Sequence, residues 1–127
     1  MPVAICQLVM LFPSTVLRSE EGPTTARPTT VLPVGTPAPS FSGIDDQGGL
    51  WKSADHVGKK ILVVWFYRAD FLRSCTQQAL GFEQDLKSLR DRGVELIGVS
   101  GDAVETHRTF KERHRLGFRL LSDPEGR

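Results

Sequence analysis

The sequence predicts an α/β domain built on a parallel sheet, and three observations predict it. Ile61 to Tyr67 is an unbroken apolar, β-branched and aromatic run of strand length, the pattern of a central strand covered on both faces. Beyond it, Ala79, Phe82, Leu86 and Leu89 recur at three- and four-residue spacing, which marks an amphipathic helix with one buried stripe. A second apolar strand, Val94 to Val99, and a second helical stretch, Ala103 to Arg115, then follow. Strand alternates with helix, as in parallel sheets joined by right-handed crossovers.

Composition narrows the function. With 39% hydrophobic and 24% charged residues over 127 positions, the chain has the make-up of one globular domain. Its net charge of +1 offers no field of one sign for nucleic acid or an anionic membrane, so neither is expected as a partner. Two cysteines, Cys6 and Cys75, are too few for a disulfide scaffold.

Taken in order, the chain opens on an apolar run, Val3 to Phe12. With no basic residue ahead of it and no small-residue cleavage pattern behind it, this is a poor secretory signal, and a cytoplasmic protein is expected. It is also short of the roughly 20 residues that span a bilayer. Ser19 to Pro33 is rich in Pro, Thr, Gly and Glu, so residues 1–33 read as a disordered arm and linker, and residues 34–127 as the folded domain. Pro37 and Pro39 force Val34 to Phe41 into extended backbone. The Asp45-Asp46-Gln47-Gly48-Gly49 stretch signals a hairpin between short strands. Ser53 to Val57 suits one helical turn ended by Gly58. Trp51 reads as a core or rim aromatic and His56 as a surface polar group.

After the Ile61 strand, a polar loop, Arg68 to Ser74, delivers Cys75 to the start of a helix predicted over Thr76 to Arg92. Unpaired N–H groups at a helix start favour thiolate over thiol, so Cys75 is the candidate nucleophile. The plainer alternative is a buried core thiol. Arg92-Gly93 closes this helix. Ser100-Gly101-Asp102 reads as loop and N-cap of the next helix, which Gly117 ends, and Phe118 to Leu121 is a third strand before a turn at Ser122 to Gly126. The basic stretch His107 to Arg119, accompanied by Glu105 and Glu112, reads as a solvated helix face and not a phosphate site. His107 and His114, with no third ligand in view, make no metal centre.

Several of these pieces resemble the peroxiredoxins, in particular their bacterioferritin-comigratory or Q-type branch. They are V-G-T-P-A-P-S-F at Val34, W-F-Y-R-A-D-F-L-R-S-C-T-Q-Q-A at Trp65, G-V-E-L-I-G-V-S-G-D at Gly93, H-R-T-F-K-E-R-H at His107 and L-L-S-D-P-E-G at Leu120. The resemblance covers nearly everything from Val34 to Arg127. It implies a thioredoxin-like fold of peroxiredoxin type, incomplete at the C-terminus, with Cys75 as the peroxidatic cysteine. Hydrogen peroxide or an alkyl hydroperoxide would be the substrate, thioredoxin or a small thiol the reductant, and no metal, flavin or haem cofactor is needed.

Three departures qualify that implication. The family pattern Pro-x-x-x-Thr-x-x-Cys reads Arg68, Leu72 and Cys75 here, so the threonine hydroxyl that helps hold peroxide is replaced by a side chain with nothing to donate. The resolving cysteine that many Q-type members carry five residues after the peroxidatic one is Leu80, which leaves a one-cysteine cycle with an outside thiol. Cys6 could reach Cys75 only through the long linker. Family members also continue past the S-D-P-x-G turn with further strands and an arginine that pairs with the thiolate. An incomplete sheet exposes an edge of the Ile61 strand, which invites aggregation unless a partner or a second copy, as in a homodimer, covers it. Arg68 and Arg73 flank the cysteine loop and are the candidate substitutes for the missing arginine. The competing reading is a catalytically impaired thioredoxin-fold module used for binding or regulation. Kinship with the cytochrome-maturation thioredoxins is excluded as a dithiol activity, because Leu72 stands where their attacking cysteine would be.

Overall fold

The computed structural model describes residues 32–126. The arm, most of the linker and Cys6 lie outside them. A compact unit beginning at Pro37 carries all the regular elements.

It opens on the hairpin that the Asp-Asp-Gln-Gly-Gly signal predicts: β1 (Ser42–Asp45) pairs antiparallel with β2 (Leu50–Lys52). Asp45 shapes the turn by accepting hydrogen bonds at Oδ1 from the backbone N–H groups of Gln47 and Gly49, at 3.0 and 2.8 Å. Gly48 takes a φ of 84°, which glycine adopts without a Cβ penalty. A 3-10 turn, Ser53–Asp55, then leads into β3 (Ile61–Phe66). After it come α1 (Arg73–Asp91), β4 (Val94–Ser100), α2 (Val104–His114) and β5 (Arg119–Ser122).

The five strands form one mixed sheet in the order β2-β1-β5-β4-β3. β3, β4 and β5 are parallel, and β1 joins β5 antiparallel through Ile44 opposite Ser122. This order corrects the central position expected for the Ile61 strand. Its apolar composition suits burial, yet β3 lies at the edge of the sheet, where Ile61, Val63 and Phe66 are exposed. The doubly covered strand is β4, with Leu96 and Ile97 buried on opposite faces. The edge exposure expected for an incomplete sheet is therefore present at β3 among the described residues.

Both helices pack on one face. Ala79 and Leu86 of α1, Phe110 of α2, Leu116 and Phe118 form a single cluster against Leu96 and Leu120. Burial of these side chains is what holds the helices to the sheet, at about 1.5–3 kcal/mol per large apolar side chain. Two glycines permit the close approach: a Cβ on Gly98 would lie 2.7 Å from Leu120 Cδ2, and one on Gly117 would lie 2.8 Å from Leu86 Cδ2. Gly117 thus serves packing, while α2 ends earlier at Arg115 in the left-handed region. The opposite face carries Trp51, Ile97, Val99 and Leu121, with His56 stacked on Trp51 at 4.9 Å. Beside it opens an apolar groove of about 470 Å³ lined by Phe41, Ile44, Leu50, Phe66 and Val99.

The basic stretch departs from the solvated face expected of it. Arg108, Arg113 and Arg115 are exposed, but Lys111 Nζ binds the buried Asp46 at 2.8 Å and Arg119 binds Asp45 at 2.8 Å. These pairs tie α2 and β5 to the hairpin, because a carboxylate taken out of water requires a partner. His107 is fully buried. No described helix is long and apolar enough to cross a membrane.

Candidate active site

The loop after β3 and the first turn of α1 form the candidate site. Leu72 is the N-cap of α1, with extended backbone (φ −64°, ψ 133°) and no side-chain hydrogen bond to the helix. Arg73, Ser74 and Cys75 follow as the first three helical residues, so the helix starts three residues before the predicted Thr76. Cys75 lies inside its first turn. The thiol is free and 6% exposed. Its neighbours in sequence, Leu72, Arg73 and Ser74, are exposed, as is Arg68 at the loop's other end. Arg68 and Arg73 are thus brought to the rim of the loop as solvated side chains. Leu80, five residues after Cys75, is 38% exposed on α1.

What fixes this loop is a buried polar network. Asp70, in the middle of the loop, is 7% exposed, and its side chain is fully buried. Asp70 Oδ2 accepts from His107 Nδ1 at 2.7 Å, and Asp70 Oδ1 accepts from the Tyr67 hydroxyl at 2.7 Å. The backbone N–H of Asp70 donates to Asp102 Oδ2 at 2.8 Å, which also accepts from Ser100 Oγ at 2.7 Å. His107 Nε2 faces the Leu121 carbonyl at 3.2 Å. Both ring nitrogens of His107 are thus occupied within the network, Nδ1 by the Asp70 carboxylate and Nε2 by the Leu121 carbonyl. Burial pushes the Tyr67 phenol far above its ordinary value of 10.0, and the adjacent Asp70 adds to the rise, so Tyr67 remains a donor.

Next to Asp70, Phe71 has a φ of 61°. A non-glycine residue held in that region costs on the order of 1–3 kcal/mol and persists only where its surroundings impose it. Here they do: Asp70 is anchored on one side, and the Phe71 ring meets Phe110 edge-on at 5.2 Å and His114 at 6.2 Å on the other.

Of the residues singled out from sequence, Cys75 stands at the helix start as expected. Sequence reasoning misses Asp70, Tyr67 and the loop-holding roles of Asp102 and His107. Asp102 is not the N-cap expected of it: α2 is capped by Ala103 without a side-chain bond, and Asp102 serves the loop instead. His107 precedes Phe110 by three residues, which sets both on the core side of α2; that spacing is the signal available in the sequence. Asp70, Asp102 and His107 come close enough to resemble a metal site. Their facing atoms are already committed to one another and to Ser100, which argues for a structural network.

A family model described as the AhpC/TSA family matches residues 34–127. The chain belongs to that family. Chloroplastic peroxiredoxin Q of Oryza sativa subsp. japonica is 39% identical over 89 residues, covering 70% of this chain and 41% of that protein. Among solved structures, the bacterioferritin comigratory protein of Xanthomonas campestris, reported for its alkyl peroxide reduction activity, superposes with a TM-score of 0.64 at 27% identity. That match covers 67% of this chain and 54% of the other. The yeast mitochondrial 1-Cys peroxiredoxin, reported for thiol resolution via glutathione and thioredoxin systems, gives 0.65 at 28% identity, covering 73% and 46%. The chain spans about half the length of these relatives. The matches establish the thioredoxin-like fold of a peroxiredoxin and the bacterioferritin-comigratory, Q-type kinship that the motifs implied.

Proposed function

We propose that the chain is a thiol-dependent peroxidase of hydrogen peroxide or alkyl hydroperoxides, with Cys75 as its peroxidatic residue. The observation that carries this reading is the location of Cys75: within a family-matched segment, in the first turn of the helix after β3, whose N–H groups lack a side-chain cap. Oriented N–H groups at that place stabilise a thiolate and the oxygen charge that develops as the O–O bond opens.

The thiolate sulfur attacks one peroxide oxygen, forming an S–O bond as the O–O bond breaks; the leaving alkoxide or hydroxide takes a proton to give alcohol or water. Sulfur is oxidised to sulfenic acid. Leu80 at the resolving position favours a one-cysteine cycle: an outside thiol displaces water to form a mixed disulfide, and a second thiol releases Cys75. Thioredoxin or a small thiol is the reductant in this reading. A cytoplasmic setting fits it, since thiol pools there keep lone cysteines reduced. The free β3 edge favours a homodimer; sedimentation at two concentrations tests that part.

Leu72 supports a second reading, a binding module without turnover, because its side chain offers a peroxide at the helix start no donor. Peroxide consumption coupled to thioredoxin or to a small thiol separates the two. Turnover abolished by Cys75→Ser supports the peroxidase, and absence of turnover with every reductant supports the module.

A further inference from the structure

We infer that Asp70 and His107 are positioning residues for Cys75: the buried Asp70–His107 pair clamps the loop so that the thiol is held, largely covered, in the first turn of α1. The inference rests on the peroxidase reading for its rate effect, though not for its structural effect.

Asp70 ties the loop to three points outside its own turn. Its carboxylate holds Tyr67, which follows β3, and His107 on α2; its backbone N–H holds Asp102, beyond β4. His107 passes the tie on to the Leu121 carbonyl of β5. The network converges two residues before the N-cap of α1, and between them lies Phe71 with its left-handed backbone. Release of Asp70 would free Phe71 to relax to negative φ, and the first turn of α1 would shift with it. α1 has no side-chain cap of its own, and the side-chain bond that reaches it from β3, Trp65 Nε1 to Gln78 Oε1 at 3.2 Å, falls in its second turn. A reacting atom misplaced by about 1 Å can lose on the order of 10²-fold in rate.

The test follows two rates at Cys75 by peptide mass spectrometry on the reduced full chain: oxidation by hydrogen peroxide and alkylation by iodoacetamide. In Asp70→Asn the shape is kept but the carboxylate charge is lost. Oxidation is expected to fall about 10- to 100-fold, while alkylation of the uncovered thiol rises severalfold. Leu86→Ala, which opens the core away from the loop, is expected to leave the ratio of the two rates unchanged. The inference is overturned if both rates hold or fall together in Asp70→Asn, or if Leu86→Ala gives the same opposed pattern. Where Asp70→Asn does not fold, Tyr67→Phe decides: it removes only the hydroxyl on Asp70 Oδ1, and the same opposed pattern at smaller size supports the clamp, while unchanged rates overturn it. Should wild-type Cys75 react with peroxide only as a free thiol, the peroxidase reading fails. The alkylation arm then still decides the clamp: a rise supports it, no rise overturns it.

Discussion

Replacing Leu72 by threonine, with valine as its matched control, isolates the one group the helix start lacks. Leu72 has N-cap backbone and no side-chain bond to α1, and it is 39% exposed. Threonine and valine lose nearly the same apolar volume relative to leucine, so their difference is the hydroxyl. As a cap, the hydroxyl introduced by L72T would accept the N–H of Ser74 or Cys75, which is worth about 1 kcal/mol over a residue without an acceptor. For a domain of this size that separates the two melting temperatures by about 4–8 °C. As a donor to peroxide, the same hydroxyl is worth on the order of 10² to 10³ in rate, the usual effect of one well-aimed donor. Thermal melts and stopped-flow oxidation of Cys75 read the two effects separately. If L72T and L72V melt together and oxidise at equal rates, the helix start is neither uncapped nor short of a donor, and the reasoning fails.

The chain has a single tyrosine, so phenolate absorbance reports Tyr67 alone. Its folded pKa lies above the unfolded value of 10.0. Stability from this group is therefore complete below about pH 10 and lost as pH rises beyond it; phenolate should appear only with unfolding, and appearance in the folded protein would contradict the buried network. Gly98→Ala would drive a Cβ to 2.7 Å from Leu120 Cδ2 and 3.2 Å from Trp65 and Tyr67; denaturant unfolding should show a loss of about 1–3 kcal/mol, and no loss would mean the strands have room to part. Arg68→Ala and Arg73→Ala should each slow Cys75 oxidation by at most about fivefold, the reach of an exposed charge, with the difference vanishing in high salt. Rates equal to wild type at low salt would remove both arginines from the reaction.

The local patterns legible in the chain are those set by neighbours in sequence. The hairpin follows from its Gly-Gly turn, α1 from the Ala79, Phe82, Leu86 stripe, and β4 from its apolar run. Position in the sheet is not legible in the same way: β3 and β4 are both apolar runs, and only pairing distinguishes the edge strand from the central one. The site shows the same division. Cys75 stands out because a loop-to-helix boundary is a local signal. Asp70 and His107 are 37 positions apart, and each looks like an ordinary polar residue of a loop or a basic helix until the crossover of α2 brings them together. Lys111 and Asp46, 65 positions apart, are hidden for the same reason.

The role proposed for Cys75 is that of a peroxide-reactive thiol. Its most direct test is to treat reduced protein with stoichiometric hydrogen peroxide and trap sulfenic acid for mass spectrometry, with Cys75→Ser alongside. The predicted result is fast oxidation confined to Cys75, well above the rate of a free thiol, and none trapped in the serine variant. Oxidation at free-thiol speed, or shared equally with Cys6, would contradict it.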